Sequence, residues 1–352
     1  MEIYLEKAFI DGFFTNFDAN DETHTKLRKF LKKASSGQLI MDIATVEDYE
    51  RAAAENPLLE MLLESKIPTL KPALAAECEN QIFYEKGGVS KVLFVESALK
   101  AENIETRFGC IAISGKTIHK AAFLFNSFLI PFNKPRPKFD SWAFMEQFRH
   151  PFNALLVTDN YLFSKKTLSE IEKQLDENLL VLLENLLPRN LKIDFHLTII
   201  GSPIPNLKKD KETKMPDIQL FLKNNSEKIR TYISNKLTKK FDYPIKLTIL
   251  IAPFHDRNIL TNYAWINSGN SFTYFENRRL HLNTNLNFQP LTYLNDGYNP
   301  YFHNEPTTET QLPVQEAWES IRQTCKCLNN TSLDENEKVK YKCGDGINRL
   351  LN

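Results

Sequence analysis

The sequence lacks both an excess of charge and a long hydrophobic run. Its 352 residues contain 44 Lys and Arg against 44 Asp and Glu, which argues against a protein that coats nucleic acid through bulk charge. A local basic groove is compatible with this balance. The most apolar segment, residues 121–132, contains Asn126, Ser127 and Pro131 and is too short to span a bilayer. We therefore expect no membrane span.

Cysteine and targeting signals are scarce as well. The chain has five cysteines, an odd number, so at least one cannot pair within the chain. Residues 1–6 have neither the basic region nor the apolar stretch of a secretory signal. Cys325, Cys327 and Cys343 offer three thiolates without the fourth ligand that structural zinc needs. These features favour a cytoplasmic protein with free thiols and no resident cofactor.

The rest of the composition predicts a globular α/β protein. Apolar residues make up 42% and charged residues 25%, as in ordinary domains with a core, and the length suggests two domains. Residues 134–138, Lys-Pro-Arg-Pro-Lys, predict a linker because the prolines disfavour helix. We predict a mixed-sheet α/β domain of unknown role at 1–138, a second α/β domain at 139–305, and a helical or irregular tail at 306–352.

The second domain has the clearer rhythm of elements. Apolar runs predict strands at 153–158, 193–201 and 244–252. Leucines at helical spacing predict a helix that starts at Ser164 or Thr167 and continues to 187, and another helix covers 217–239. This alternation favours an α/β sandwich in which the three strands lie side by side.

The strongest functional signal follows the last of these strands. His255, Arg257, Asn262, Gly269 and Asn270 occur at the spacing of the phospholipase D motif, which is His-x-Lys, four residues, Asp, six residues, Gly-Ser. His and Gly keep their places, while Arg, Asn and Asn replace Lys, Asp and Ser. The chain therefore resembles the phospholipase D superfamily in this motif and, by the order of elements, over residues 142–305.

The resemblance implies phosphodiester chemistry without a metal. His255 and Arg257 are two residues apart on a predicted strand and would face one pocket. Histidine can form a covalent phosphoryl intermediate, and arginine keeps the charge and the phosphate affinity of lysine. Asn262 removes a negative charge, which affects catalysis more than binding. The implied function is nucleic-acid binding or cleavage, including that of a defence-type nuclease component.

The superfamily active site needs two such motifs, and this chain has one. His24-Thr25-Lys26 begins in the same way, but Leu31 stands at the acid position and the context is helical. Some nucleases of the superfamily carry one motif per chain and complete the site by homodimerisation, whereas others have lost activity and bind ligands. A homodimer or another protein partner is therefore expected.

A second resemblance concerns the residues around the motif. His-Asp-Arg, followed by Thr-Asn-Tyr, Gly and an aromatic pair, is similar to the phospholipase-D-like domain that follows MIT domains in eukaryotic ESCRT-linked proteins. That domain implies phospholipid-headgroup binding without catalysis. No MIT helical hairpin is evident before residue 139, so its function does not carry over.

Three charged residues after the motif are candidate supports. In the superfamily a downstream acid often orients the histidine, and Glu276 could do so here. Arg278 and Arg279 could widen a phosphate site. A solvated surface charge is the other interpretation of Glu276.

Two alternatives belong to different classes of protein. Asp11 and Asp42 each follow an apolar run, Glu47 or Glu50 lies in the next helix, and Glu96 ends a strand. Such acids could hold Mg²⁺ in a PIN-like nuclease, although strand-end acids are usually solvated or capping.

The other alternative is a non-catalytic, partner-binding or regulatory protein in which the motif only shapes the core. An Arg257 side chain locked by Asp256 or another acid would support it. An open pocket into which His255 and Arg257 both point would count against it.

Overall fold

The protein is an α/β structure with two compact units, Met1–Asn126 and Ser127–Asn352, which confirms the predicted class. The computed structural model describes residues 2–34, 39–63, 68–85, 90–133, 139–165, 167–201, 215–252, 256–281, 283–291, 321, 323 and 341–351. The units divide after residue 126, before the predicted linker, because strand Phe128–Phe132 pairs with the second unit's sheet. The linker itself lies outside the described residues.

The first unit contains a five-stranded sheet whose strands all run parallel. In chain order they are β1 (Glu2–Leu5), β2 (Leu39–Met41), β3 (Thr69–Leu70), β4 (Lys91–Phe94) and β5 (Ile111–Ile113). Their order in the sheet is β3-β2-β1-β4-β5. Each connection passes through at least one helix and brings the chain back to the end of the sheet at which every strand starts, so the strands are parallel. The predicted mixed sheet is therefore wrong for this unit.

The helices of the first unit begin and end at residues that suit those positions. They are α1 (Lys7–Thr15), α2 (Glu22–Ala34), α3 (Val46–Glu55), α4 (Pro57–Leu63), α5 (Leu74–Glu77), α6 (Gln81–Glu85), α7 (Ala98–Phe108) and a 3₁₀ helix at Gly115–Leu124. Thr45 and Ser97 cap α3 and α7 by accepting backbone N–H bonds. Gly109 ends α7 with a φ of 60°, which favours glycine.

The second unit contains the mixed sheet. Its strands are β6 (Phe128–Phe132), β7 (Ala154–Asp159), β8 (Phe195–Gly201), β9 (Ile245–Ile251), β10 (Asn258–Thr261), β11 (Ala264–Ser268), β12 (Phe275–Glu276), β13 (Arg279–Leu280), β14 (Thr284–Pro290) and β15 (Tyr341–Gly344). Eight of them form one sheet in the order β15-β9-β8-β7-β10-β11-β14-β6, and β12 and β13 form a separate hairpin. Strands β7, β8 and β9 are parallel, and β10 pairs antiparallel with β7.

The three parallel strands carry the core of this unit. β7 and β8 are buried along their whole length, as strands covered on both faces must be. Helices α8 (Leu168–Glu177) and α9 (Leu179–Leu186) connect β7 to β8, and α10 (Met215–Thr238) connects β8 to β9. A 3₁₀ helix at Trp142–Phe148 precedes β7. Thr167 and Glu170 form a capping box that starts α8, one of the two predicted starts.

Two features of this unit differ from the sequence-based expectation. One predicted helix is divided into α8 and α9 at Asn178, whose amide bonds both backbone polar groups of Phe275 at 2.9 Å. The end of the predicted tail joins the sheet, since β15 pairs with β9. Asn348 then donates to the backbone of Leu155 and to the Thr198 hydroxyl, both at 3.0 Å. The chain end therefore belongs to the core of this unit.

Candidate functional site

The motif lies where the carboxyl end of β7 meets the start of β10. The Thr158 hydroxyl donates to the carbonyl of Asp256 at 2.8 Å and accepts from the backbone N–H of Asn258 at 3.0 Å. These two bonds lie on either side of Arg257 and fix its backbone beside the carboxyl end of β7. His255 lies outside the described residues, so its role as a nucleophile stays a prediction.

Arg257 is held without an ionic partner. Its guanidinium carbon lies 5.4 Å from the centroid of the Tyr161 ring, within cation–π range. Its Nε is buried and has no hydrogen-bond partner, and no carboxylate in the described part of the chain forms an ion pair with it. The neighbouring Asp256 is exposed and contributes its carbonyl, not its carboxylate, to the local bonds. Arg257 is therefore not locked by an acid.

Asp159, the last residue of β7, is a buried carboxylate near Arg257 and does not belong to the phospholipase D motif. Its Oδ1 accepts from the backbone N–H of Tyr161 at 2.8 Å. Its Oδ2 accepts from the Ser271 hydroxyl at 2.7 Å and from the Phe272 N–H at 2.6 Å. Burial raises the pKa of Asp159, while these hydrogen bonds and the nearby charge of Arg257 act to lower it.

The end of β11 and the loop that follows it, residues 269–273, lie beside the carboxyl end of β7. The backbone N–H of Ser268 donates to the Arg257 carbonyl at 3.0 Å, and the Ser268 hydroxyl bonds the Tyr274 hydroxyl at 2.6 Å. Gly269 is exposed, and its N–H donates to the Asn285 carbonyl. The Asn270 side chain donates to the Asn283 carbonyl at 3.2 Å. Gly269 and Asn270 thus belong to the loop beside Arg257, with the Asn270 amide directed at backbone.

Asn262 lies at the opposite end of the sheet and does not join this site. Its Oδ1 accepts from the N–H groups of Asn153 and Ala154 at 2.9 and 3.0 Å, before and at the start of β7. Five residues separate it from Arg257 along an extended strand, a span of about 17 Å. Asn262 is buried, and its side chain is engaged with the protein. It is a structural residue and not the phosphate ligand that the spacing suggested.

Glu276, Arg278 and Arg279 lie in the β12–β13 hairpin, and all three are exposed. Asn277 and Arg278 form its two-residue turn with φ values of 51° and 60°, as a type I′ turn requires. Glu276 Oε2 lies 3.7 Å from His281 Nδ1. No contact within the described chain brings either arginine to Arg257, so the proposed widening of the site stays a prediction.

The hairpin borders a mixed-charge groove with a cavity volume of about 230 Å³. Acidic and basic side chains alternate along its lining, which includes Lys165, Glu170, Lys173, Glu177, Glu276 and His281. The Asn277 side chain anchors the hairpin to α8 by accepting from Lys173 Nζ at 3.1 Å. The lining therefore combines side chains of both charge signs.

In the first unit, the protein itself fills the crevice where parallel sheets usually bind ligands. That crevice lies beyond the carboxyl ends of β1 and β4, where the strand order reverses. Glu6, which follows β1, is 4% exposed. One of its oxygens accepts from Lys100 Nζ at 2.5 Å and the other from the Glu96 N–H at 2.7 Å.

The acids proposed for a PIN-like site do not form a metal cluster. Asp42 accepts from the Lys7 backbone N–H at 2.5 Å, and Asp11 pairs with Lys7 Nζ at 2.6 Å. Glu47, Glu50 and Glu96 are exposed. Across the residues that the structure describes, no three His, Cys, Asp or Glu side chains come together in a way that could hold a metal ion. The PIN-like hypothesis therefore has no metal site here.

Comparisons with known proteins assign no family to the chain. No protein-family model matches the chain, and no curated protein is significantly similar to it. A solved structure, the crystal structure of Drosophila Piwi, matches with 10% identity over 85% of this chain and 42% of that chain, at a TM-score of 0.15. The chain thus spans less than half of the Piwi chain, and so low a TM-score carries no argument. No helix of the described ranges is both long and apolar enough to cross a membrane.

Proposed function

We propose that the second unit binds phosphodiester ligands, nucleic acid among them, through the guanidinium of Arg257. The proposal is based on the surroundings of the Arg257 guanidinium beside the carboxyl end of β7. Its Nε is buried without a hydrogen-bond partner, and no described acid forms an ion pair with it. Guanidinium presents its N–H donors in a planar fork that matches two phosphate oxygens. The buried Nε faces the protein, so a phosphate would bind the two terminal Nη groups, for which the described residues provide no hydrogen-bond acceptor.

The stacking of Arg257 on Tyr161 supports this role. Contact with a ring face orients the guanidinium without using its N–H donors. A buried donor without a partner costs about 1–3 kcal/mol, so the fold keeps Arg257 in this position although it lowers stability. The arrangement therefore favours ligand binding over a purely structural arginine.

The resemblance to the phospholipase D superfamily adds a candidate reaction. In it, His255 attacks phosphorus, the bond to the leaving alcohol breaks, and water later hydrolyses the phosphohistidine. Asn262 stands where the motif has an acid and therefore lacks its negative charge. That side chain lies at the other end of the sheet, so its neutrality does not change the charge around Arg257. With one motif per chain, catalysis would need a homodimer.

The proposed setting is the cytoplasm. Cys78 and Cys343 are buried thiols outside any disulfide. Burial raises the pKa of each to about 12, so both stay protonated and unreactive at neutral pH. Thiols of this kind are compatible with a reducing compartment.

Binding to a fluorescent single-stranded oligonucleotide tests the assignment of Arg257. Arg257→Ala should weaken the affinity about ten- to a hundredfold, as expected for the loss of charged hydrogen bonds. Arg51→Ala removes one exposed arginine from the first unit and is the matched control for net charge. Unchanged affinity of a folded Arg257→Ala protein at several salt concentrations would place the site elsewhere.

The same preparations, incubated with single- and double-stranded nucleic acid with and without EDTA, test cleavage. Cleavage that resists EDTA and is lost in His255→Ala supports chemistry at the motif, since histidine and not a metal-bound water would be the nucleophile. Cleavage that EDTA abolishes and His255→Ala leaves intact would refute it. Binding without cleavage would favour the non-catalytic form of the proposal.

A further inference from the structure

Helix α2 of the first unit presents a row of cations to solvent. Residues 26–33 include five Lys and Arg and no acid. Leu27 and Leu31 are buried, and at about 100° per residue the basic side chains fall on the other side of the helix. We call this side the basic face, and its residues are Lys26, Arg28, Lys29 and Lys32. Lys26 pairs with Glu22 at 2.7 Å, whereas Arg28 and Lys29 form no ion pair within the described residues.

Helix α3 presents carboxylates in the same way. Its buried residues are Tyr49, Ala52 and Ala53. The side turned away from them, which we call the acidic face, carries the exposed residues Glu47, Glu50 and Glu55. No ion pair in the described part of the chain involves these three. Arg51 is the one cation of α3, and it lies 3.7 Å from Asp48. The acidic face is therefore open to a cationic partner.

Both faces lie on one side of the five-stranded sheet. The chain passes from β1 to β2 and on to β3 in one direction across the sheet, and right-handed crossovers put both connections on the same side. Helices α2 and α3 both pack against α4. Two apolar side chains are exposed on helices of this side, Phe14 on α1 at 41% and Val46 on α3 at 38%. This surface thus combines charges of both signs with exposed apolar groups.

We infer that this surface binds a second copy of the chain, with the basic face of each copy against the acidic face of the other. In a two-fold dimer the same surface is used by both copies, so both contacts are attractive. Side chains at i and i+4 of a helix lie about 6 Å apart, so cations on one helix match carboxylates on another in spacing. The surface belongs to the first unit, outside the region that resembles the phospholipase D superfamily, and the inference does not depend on Arg257.

The charge of the rest of the unit favours a protein over a polyanion as the occupant. Residues 1–126 contain more Asp and Glu than Lys and Arg, so the unit as a whole repels nucleic acid. Acids also border the basic face, since Asp21 and Glu22 lie at the start of α2. A partner that carries both an acidic and a basic face complements this surface, and a second copy is such a partner.

Self-association of the full chain, measured by sedimentation velocity, is the first test. The dissociation constant of the dimer should rise at least tenfold between about 0.1 M and about 1 M salt, because the Debye length falls from about 10 Å to about 3 Å. A chain that is monomeric at about 100 μM in low salt would overturn the inference. A dimer that salt does not weaken would overturn it as well.

Charge reversal tests the pairing of the two faces. One variant, Lys29→Glu with Lys32→Glu, reverses the basic face, and the other, Glu50→Lys with Glu55→Lys, reverses the acidic face. Each alone should self-associate about a hundredfold more weakly, because like charges then face each other. An equimolar mixture should restore the dimer, since each α2 again faces an α3 of opposite sign. Unchanged self-association of either variant, or a mixture that stays monomeric, would overturn the inference.

Controls separate this contact from net charge, folding and nucleic-acid binding. Glu79→Lys with Glu102→Lys makes the same change in net charge at exposed acids outside α1–α4 and should leave self-association unchanged. An equal loss in that control would refute the pairing. If a reversed variant does not fold, as judged by circular dichroism, Lys29→Gln with Lys32→Gln replaces it and should weaken the dimer about tenfold. Full dimerisation of a Lys29 and Lys32 variant that has lost oligonucleotide affinity would assign the basic face to nucleic acid and refute the inference.

Discussion

Each of the two sheets has a buried carboxylate at the carboxyl end of a central parallel strand, but the hydrogen-bond donors to the two carboxylates differ in charge. Glu6 follows β1 and Asp159 ends β7, each at the carboxyl edge of a parallel strand pair. Glu6 is bonded by the ammonium of Lys100, so carboxylate and cation neutralise each other. Asp159 is bonded by neutral donors, and the nearby Arg257 remains unpaired. The partner of the carboxylate therefore decides whether the neighbouring cation is held in an ion pair, as Lys100 is, or stays unpaired, as Arg257 does.

Chain connectivity explains the difference. In the first unit helix α7 starts close to the end of β4, and its first turn carries Lys100 to Glu6. In the second unit the chain makes an irregular turn after β7 before α8 begins at Leu168. The turn presents the N–H of Tyr161 to Asp159, and the loop after β11 presents Ser271. Neither segment supplies a cation to Asp159, and Arg257, which directly precedes β10, forms no ion pair with a described residue.

Removing the Glu6–Lys100 ion pair of the first unit should have the largest effect on stability. Glu6→Ala leaves the half-buried Lys100 with only the Ala75 carbonyl as its acceptor and should lower the free energy of unfolding by about 3 kcal/mol. The side chains of Glu6 and Lys100 are only 5% and 18% exposed, so solvent screens the pair little. Urea denaturation followed by far-UV circular dichroism measures the change, and oligonucleotide affinity should stay the same.

An exposed pair in the same unit is the control for that prediction. Lys7 and Asp11 pair at 2.6 Å with side chains 46% and 44% exposed. Lys7→Ala should therefore change stability by about 0.5 kcal/mol or less. If Glu6→Ala and Lys7→Ala lowered the free energy of unfolding equally, the Glu6–Lys100 pair would not be a stabilising contact of the first unit.

Acid should sharpen the comparison by weakening the second unit more than the first. Burial lowers the pKa of His150 to about 4 and that of His196 to about 3, and both lie in the second unit. The unfolded chain therefore binds protons first, so stability is full above about pH 6.5 and falls as the pH drops toward the folded values. At pH 5 each histidine should lower the free energy of unfolding by about 2 kcal/mol relative to neutral pH.

The buried carboxyls act in the other direction. Burial raises the pKa of Asp42 and Glu105 in the first unit and of Asp159 in the second, so their contribution to stability grows on acidification. All three tryptophans of the sequence follow residue 126, and Trp142 and Trp265 are buried in the second unit, so tryptophan fluorescence reports on that unit and not on the first. His196→Asn should flatten the pH dependence, whereas the exposed His119→Asn should not. An equally steep slope in both variants would contradict the assignment.

Local signals predicted the elements, and long-range contacts determined the site. The caps Thr45 and Thr167 and the strands of the βαβαβ core follow from residues close in sequence. Asn178 breaks its helix because of a bond to Phe275, and Asn262 is buried because of bonds to Asn153, each about a hundred residues away. No local pattern encodes such pairings.

Asp159 could have been found from the sequence by a simple signal. It is an acid at the end of an apolar strand, the same signal that drew attention to Asp11 and Asp42. That signal does not distinguish the three residues. What separates them is burial and the donors brought by distant loops, since Asp159 is fully buried and Asp42 is not. The spacing of the motif likewise could not tell that Arg257 and Asn262 lie at opposite ends of one strand.

The smallest effect is expected in the β12–β13 hairpin, whose arginines test how far the site extends from Arg257. Arg278 has a φ of 60°, so Arg278→Gly fits the type I′ turn and should not destabilise the hairpin. Arg279 is exposed, and Arg279→Ala should be equally well tolerated. Because both charges are solvated and screened, each variant should weaken oligonucleotide binding by about threefold or less. Losses as large as that of Arg257→Ala, measured by the same fluorescence titration, would mean that the phosphate site includes the hairpin. In that case the carboxylate–arginine comparison between the two sheets would describe only part of it.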